Sequence, residues 1–140
     1  MIIKKWVSTD YLNYDDMNRI ETNINTLYDL VLEIDSTASI PTIVTNRTYT
    51  SIDTVSSLNR IESNIANIDN YYPIQNFYWD TPKTNWKAWD SITYMDLNRI
   101  EGNIEAIYNT LCNYLDHKAD IIYVGQIYAK EDKYNNGNVL

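Results

Sequence analysis

The sequence is poor in the residues that most often carry chemistry. It holds one cysteine, one histidine and one phenylalanine in 140 residues. A lone thiol, Cys112, cannot close an internal disulfide, so the fold does not depend on an oxidising compartment. It reads as a half-buried helix residue. His117 has no second His or Cys at ligand spacing, so neither a metal nor a cofactor is expected. Basic charge is also scarce: 11 Lys and Arg face 19 Asp and Glu, for a net charge of −8 and a pI near 4.4. Nucleic-acid binding needs a concentrated basic face, and this chain repels phosphate. No apolar run in "MIIKKWVSTD" is long enough for a signal peptide or a membrane span, so a cytoplasmic origin and no membrane partner are expected.

What is present is a folded composition, 44% hydrophobic, with an aromatic set of thirteen tyrosines and four tryptophans. Tyr and Trp pair an apolar body with a polar tip and suit interfaces, between repeats or with a partner. The chain also spells one word three times: "MNRIETNI" at 17–24, "LNRIESNI" at 58–65 and "LNRIEGNI" at 97–104. The copies are 41 and 39 residues apart, a period that marks a repeat architecture. Upstream, Trp6, Asp10, Leu12, Asn13, Tyr14 and Asp16 match Trp86, Asp90, Ile92, Thr93, Tyr94 and Asp96, each 80 residues later. The second copy has lost the Trp and the Asp, with Tyr49 in the neighbourhood of the missing Trp.

Each copy reads as a helix with its start signal attached. Asn13 and Thr93 are good N-caps, with Asp16 and Asp96 placed to complete a capping box; in the second copy either Asp53 or Thr54 can cap. Apolar residues then recur at alternating steps of three and four: Met17, Ile20, Ile24, Leu27, Val31 and Ile34; Leu58, Ile61, Ile65, Ile68 and Tyr72; Leu97, Ile100, Ile104, Ile107, Leu111 and Tyr114. This coiled-coil spacing predicts a mainly α fold with helices near 14–35, 54–70 and 94–117, the second ended by Pro73.

The connectors at 36–53 and 71–93 are long for a bundle. Eighteen extended residues span roughly 60 Å, more than the roughly 33 Å of a 22-residue helix. Each connector is long enough to run back along its helix, so the three helices can lie parallel with pseudo-threefold symmetry; alternatively the repeats string out and associate between chains. In either arrangement Tyr78, Trp79, Trp86 and Trp89 cover apolar surface. The expected organisation is a three-repeat helical domain over 1–118, with repeats about 1–36, 37–72 and 73–118, then a strand and polar tail over 119–140. "DIIYVGQIYA" at 120–129 is β-branched and aromatic, a strand to be paired with "IPTIVT" or with a neighbour's sheet edge.

In the repeated word the Ile is a core position and the other letters are not. First-turn ion pairs of Arg19 with Asp16 and of Arg99 with Asp96 are worth only a few tenths of a kcal/mol, too little to demand the same letters three times. A repeated contact is the better explanation, with the Asn, Arg and Glu of the word holding the incoming Trp-x-x-x-Asp segment or a neighbouring helix. Arg19, Glu21 and Asn23, with Arg60, Glu62, Asn64 and Arg99, Glu101, Asn103, form a polar set that fixes Trp6 to Asp10 and Trp86 to Asp90 against their helices, Arg99 with Asp90 being the pair to test. No recurrent His, second carboxylate or Ser accompanies the three glutamates, so no catalytic residue and no enzyme is expected. Trp79 and Trp89 are not duplicated and are the candidate partner-contact aromatics.

The string W-x-x-x-D-x-[LI]-[TN]-Y-x-D-[ML]-N-R-I-E-x-N-I, at 6–24 and 86–104 and loosely at 49–65, resembles a module of tail, baseplate and tail-fibre proteins of bacteriophages and phage-tail-like particles. The resemblance implies a non-enzymatic virion structural protein that joins or anchors other virion proteins, with a homo-oligomer, a trimer first among them, as the form any self-association takes. Its place would be the tail of the particle, and the host cytoplasm during assembly. The second copy departs from the pattern and is expected to complete a core rather than to bind. The alternative is a carbohydrate-binding module that stacks Trp and Tyr on host-surface glycans.

Overall fold

The computed structural model describes residues 1–71 and 79–135, with residues 119–135 described as backbone only. Tyr72, Pro73 and Tyr78 and the last five residues of the polar tail lie outside the described residues. The protein is mainly helical: α1 (Tyr14–Ile34), α2 (Val55–Asn67) continued by one 3-10 turn at Ile68–Asn70, and α3 (Tyr94–Asn135). No strand occurs among the described residues.

The helices start where their caps dictate. Asn13 accepts from the N–H of Asp16 at 3.0 Å, and Asp16 accepts in return from the N–H of Asn13 at 3.3 Å. Thr93 and Asp96 repeat this reciprocal box at 3.4 and 2.9 Å. Each box satisfies two backbone donors that a helix start leaves open. In the second repeat Thr54 is the cap and Asp53 is not. Asp53 instead pairs with Arg47 at 2.8 Å.

The apolar seams converge in one core. Met17, Ile20, Ile24, Leu27 and Val31 of α1 meet Ile61, Ile65 and Ile68 of the second repeat and Leu97, Ile100, Ile104, Ile107 and Leu111 of α3. Each fully buried side chain of this size contributes roughly 1.5–3 kcal/mol. Tyr28 is buried among them, and its hydroxyl donates to the carbonyl of Asn64 at 2.7 Å. Burial, and then the nearby Tyr71, push that phenol's pKa up.

The expected strand at 120–129 is a correction. The backbone there is helical, because α3 passes residue 118 without a break and runs to Asn135. Once a helix is nucleated, each added residue gains a hydrogen bond, whereas β-branched residues lower helix propensity by only tenths of a kcal/mol. A strand needs a ladder partner, and the one expected within the chain is held elsewhere. In "IPTIVT" the carbonyl of Thr42 accepts from Asn64 at 2.9 Å, and the N–H of Val44 donates to Glu21 at 2.7 Å.

Candidate functional site

The repeated word is a two-sided clasp. Within a helix, residues three or four apart share a face. Asn and Glu of "NRIE" stand three apart on one face, while Arg and the following Asn stand four apart on another.

The first face grips the segment that belongs to the next repeat. Asn18 accepts from the N–H of Arg47 and donates to its carbonyl, both at 2.9 Å. Asn59 does the same to Trp86 at 2.7 and 3.1 Å, and Asn98 to Trp6 at 2.8 and 2.9 Å. One side-chain amide thus replaces a ladder partner for one residue of extended backbone. Three positions later the glutamates continue the grip. Glu21, Glu62 and Glu101 are at most 1% exposed. Each accepts a backbone N–H, from Val44 at 2.7 Å, Lys83 at 2.8 Å and Lys4 at 3.3 Å respectively.

The second face looks the other way. Asn23 donates to the carbonyl of Ile2 at 2.7 Å, Asn64 to Thr42 at 2.9 Å and Asn103 to Asp80 at 2.8 Å, each within its own repeat. The arginines reach back to the preceding helix's glutamate. Arg60 pairs with Glu21, Arg99 with Glu62, and Arg19 closes the circle on Glu101 at 2.6 Å. Three buried carboxylates and three arginines therefore link the helices in cyclic order. Burial would lower the pKa of Arg19 and Arg99, but the bonds to Glu101 and Asp16, and to Glu62 and Asp96, outweigh it and raise both. The first-turn pairs also form, Arg19 with Asp16 at 3.5 Å and Arg99 with Asp96 at 2.9 Å.

Trp6 and Trp86 are 3% and 4% exposed. The sequence reading set them against their own helices. Their indole N–H groups donate instead to the helix before, Trp6 to Glu101 and Trp86 to Glu62, each at 3.3 Å. Lys4 and Lys83 lie over the two rings, 3.6 and 3.8 Å from the centroids. The second repeat makes the same contact with a different residue. Arg47, not Tyr49, stands at the Trp position and donates to Glu21 at 2.5 Å, while Tyr49 is exposed.

Among the described residues Asp10 and Asp90 form no ion pair with the arginines. Asp10 accepts from the N–H of Val7 at 2.9 Å, and Asp90 from that of Lys87 at 3.1 Å. The ion partner of Asp90 is Lys83 at 2.9 Å, while Arg99 is held by Glu62 and Asp96. Of the two unduplicated tryptophans, Trp79 packs against the core and Trp89 is 95% exposed. Asn18, Asn59 and Asn98, the Asn of the repeated word, were expected to hold an incoming segment or a neighbouring helix, and each holds a segment. Reading the letters did not single out Arg47, for which the 41- and 39-residue offsets were the signal, since they align it with Trp6 and Trp86.

Among the described residues no group of three or more His, Cys, Asp or Glu side chains is arranged to hold a metal ion, and no helix is long and apolar enough to cross a membrane. Compared with family models, with curated proteins and with solved structures, the chain matches none.

Proposed function

We propose that this chain is a non-enzymatic structural component of a bacteriophage tail or baseplate, or of a phage-tail-like particle, that joins or anchors other virion proteins. Its body is a bundle of three parallel repeats with pseudo-threefold symmetry, one chain in the form of a trimer. The observation that carries this reading is the cyclic set of Arg–Glu pairs. Arg19, Arg60 and Arg99 reach Glu101, Glu21 and Glu62 at the same level of each helix, which favours helices that run the same way. The recurrent residues are consumed in holding the chain to itself. Each of the three glutamates takes an arginine and a backbone N–H, which leaves none poised as an acid or base.

The circle closes within one chain, so the seams need no second or third copy, and the purified protein should sediment as a monomer. The virion assignment rests on the W-x-x-x-D and "NRIE" string. Its test is a gold-labelled antibody against the protein, applied to particles released from the producing cells. Label on tails or baseplates supports the reading, and a protein left wholly in the soluble fraction of a particle-producing culture overturns it.

The glycan-binding alternative now rests on Trp89. Trp6 and Trp86 are buried by the repeats and Trp79 packs on the core. Saturable quenching of tryptophan fluorescence by host-wall polysaccharide would favour it.

A further inference from the structure

Between each gripped segment and the next helix cap, the chain makes one tight turn. The N–H groups of Asp10, Ser51 and Asp90 donate to the carbonyls of Val7, Thr48 and Lys87 at 3.0, 2.9 and 2.9 Å. Their side chains accept the N–H groups of the same three residues. Each turn starts one residue after a backbone pair held by Asn98, Asn18 or Asn59, each the fifth residue of its helix. Together these clasps set all three turns at one end of the bundle.

That end is apolar out of proportion to its task. Tyr11, Tyr49, Ile52 and Trp89 are each at least 85% exposed there, and Met95 in the first turn of α3 is 62% exposed. The sister repeats show that the turn does not need them. At the position of Trp89 the other two copies carry Thr9 and Thr50, and at the position of Tyr49 they carry Ser8 and Ala88. The same hydrogen bonds form around small residues, so the large ones serve something other than the turn. Several large apolar side chains exposed on the turns of one end, among polar ones, point to an interaction surface.

The rim gives the sign of the partner. Asp10, Asp15, Asp53 and Asp90 are exposed around these residues. Asp53 is paired with Arg47 and Asp90 with Lys83, so Asp10 and Asp15, against the exposed Lys87, leave the rim with a small negative excess. A second copy would bring acid against acid, in a chain whose net charge is already −8. A surface of opposite sign is favoured. An anchor point is also present: a cavity of about 360 Å³ between the start of α1 and the second turn, walled by Leu12, Tyr14, Met17 and Tyr49, with Asp53 at its edge. Buried apolar anchors in such pockets dominate binding energy at protein interfaces.

We propose that the turn end of the bundle docks a protein surface that is apolar at its centre and fringed with lysine or arginine, one of its apolar side chains entering the Tyr14–Tyr49 cavity while Trp89 covers the rest. This rests on the assembly reading and names the face and the kind of partner.

The test uses the full chain and a short amphipathic peptide of leucine and lysine, with its leucine–glutamate counterpart as control. Amide shifts on adding the basic peptide should map to residues 7–12, 48–53 and 87–95, and added salt should weaken them. The double variant Tyr49→Ser, Trp89→Thr, built from the sister turns' own residues, should weaken binding at least tenfold while amides of the core helices stay in place. Equal response to both peptides, shifts mapping to the helix flanks, or undiminished binding by the double variant overturns the proposal. So do shifts at this end that respond to oligosaccharide or to the protein's own concentration and not to the basic peptide. Absence of the protein from particles, with peptide binding intact, overturns the virion reading alone. Labelled tails with a turn end that ignores the basic peptide overturn this proposal alone.

Discussion

Arg99 of α3 does not stop at Asp96 in its own first turn; it crosses to Glu62 of α2, which is fully buried. Glu62 also takes the indole N–H of Trp86 and the backbone N–H of Lys83. One carboxylate thus joins two helices and the segment laid between them. Removing the arginine strands that carboxylate, and breaking a buried pair costs more than the 0–1 kcal/mol of a surface pair.

Arg99→Ala should therefore destabilise the protein by about 2–4 kcal/mol in urea unfolding. Arg60→Ala should cost less, because Glu21 keeps a second guanidinium from Arg47. A double-mutant cycle of Arg99 with Glu62 should show coupling above about 1 kcal/mol, and one of Arg99 with Asp90 less than about 0.5 kcal/mol. Strong coupling to Asp90 instead would displace the ring as the role of the repeated arginine.

Arg47 gives a second test, since it does a tryptophan's work in the middle repeat. Arg47→Ala removes the donors to Glu21, Asp53 and the carbonyl of Val44, and should cost about 2–4 kcal/mol. Arg47→Trp restores the residue of the sister repeats, whose indole N–H reaches the equivalent glutamate, and should recover at least half of that loss. Equal midpoints for the two variants would show that the clasp does not treat Arg and Trp as alternatives.

Helix positions and caps were legible in the sequence because they depend on residues close together in the chain. The spacing of Ile20, Ile61 and Ile100 and the Asn13–Asp16 and Thr93–Asp96 boxes could be read without any knowledge of the fold. The partners of the polar letters could not. Whether Glu101 faces its own segment or Trp6, 95 residues away, is decided by how the helices are arranged. Arg47 was hidden for a chemical reason: a guanidinium and an indole share a hydrogen-bond donor but look unlike in an alignment. The segment at 120–129 misled because its β-branched and aromatic composition was weighed above the helix that runs into it, and because Thr42 and Val44 in the strand partner it was given are held by Asn64 and Glu21.

The three central isoleucines, Ile20, Ile61 and Ile100, are each 1% exposed. Truncation to Ala should cost about 2–5 kcal/mol at each, from lost burial and the cavity left behind. If any one of the three left the unfolding midpoint unmoved, that helix would not share the core.

Acid should loosen the start of α3 in a way one side chain can report. Burial alone would raise the pKa of Asp96, but the hydroxyl and N–H of Thr93, and then Arg99, outweigh it and hold the group below its ordinary 3.8. The folded state thus binds the proton less readily than the unfolded chain does. The stability this confers is fully present above the unfolded value and is lost as pH falls through the folded one. Asp96→Asn keeps an oxygen to accept from Thr93 but gives up the charge facing Arg99. At pH 7 the variant should be less stable than the parent. At about pH 2, below the ordinary carboxylate range, the unfolded chain's aspartate is protonated while the folded Asp96 takes the proton less readily, so the parent loses its advantage and the gap should shrink. An unchanged gap at both pH values would mean that the aspartate acts through hydrogen bonding alone.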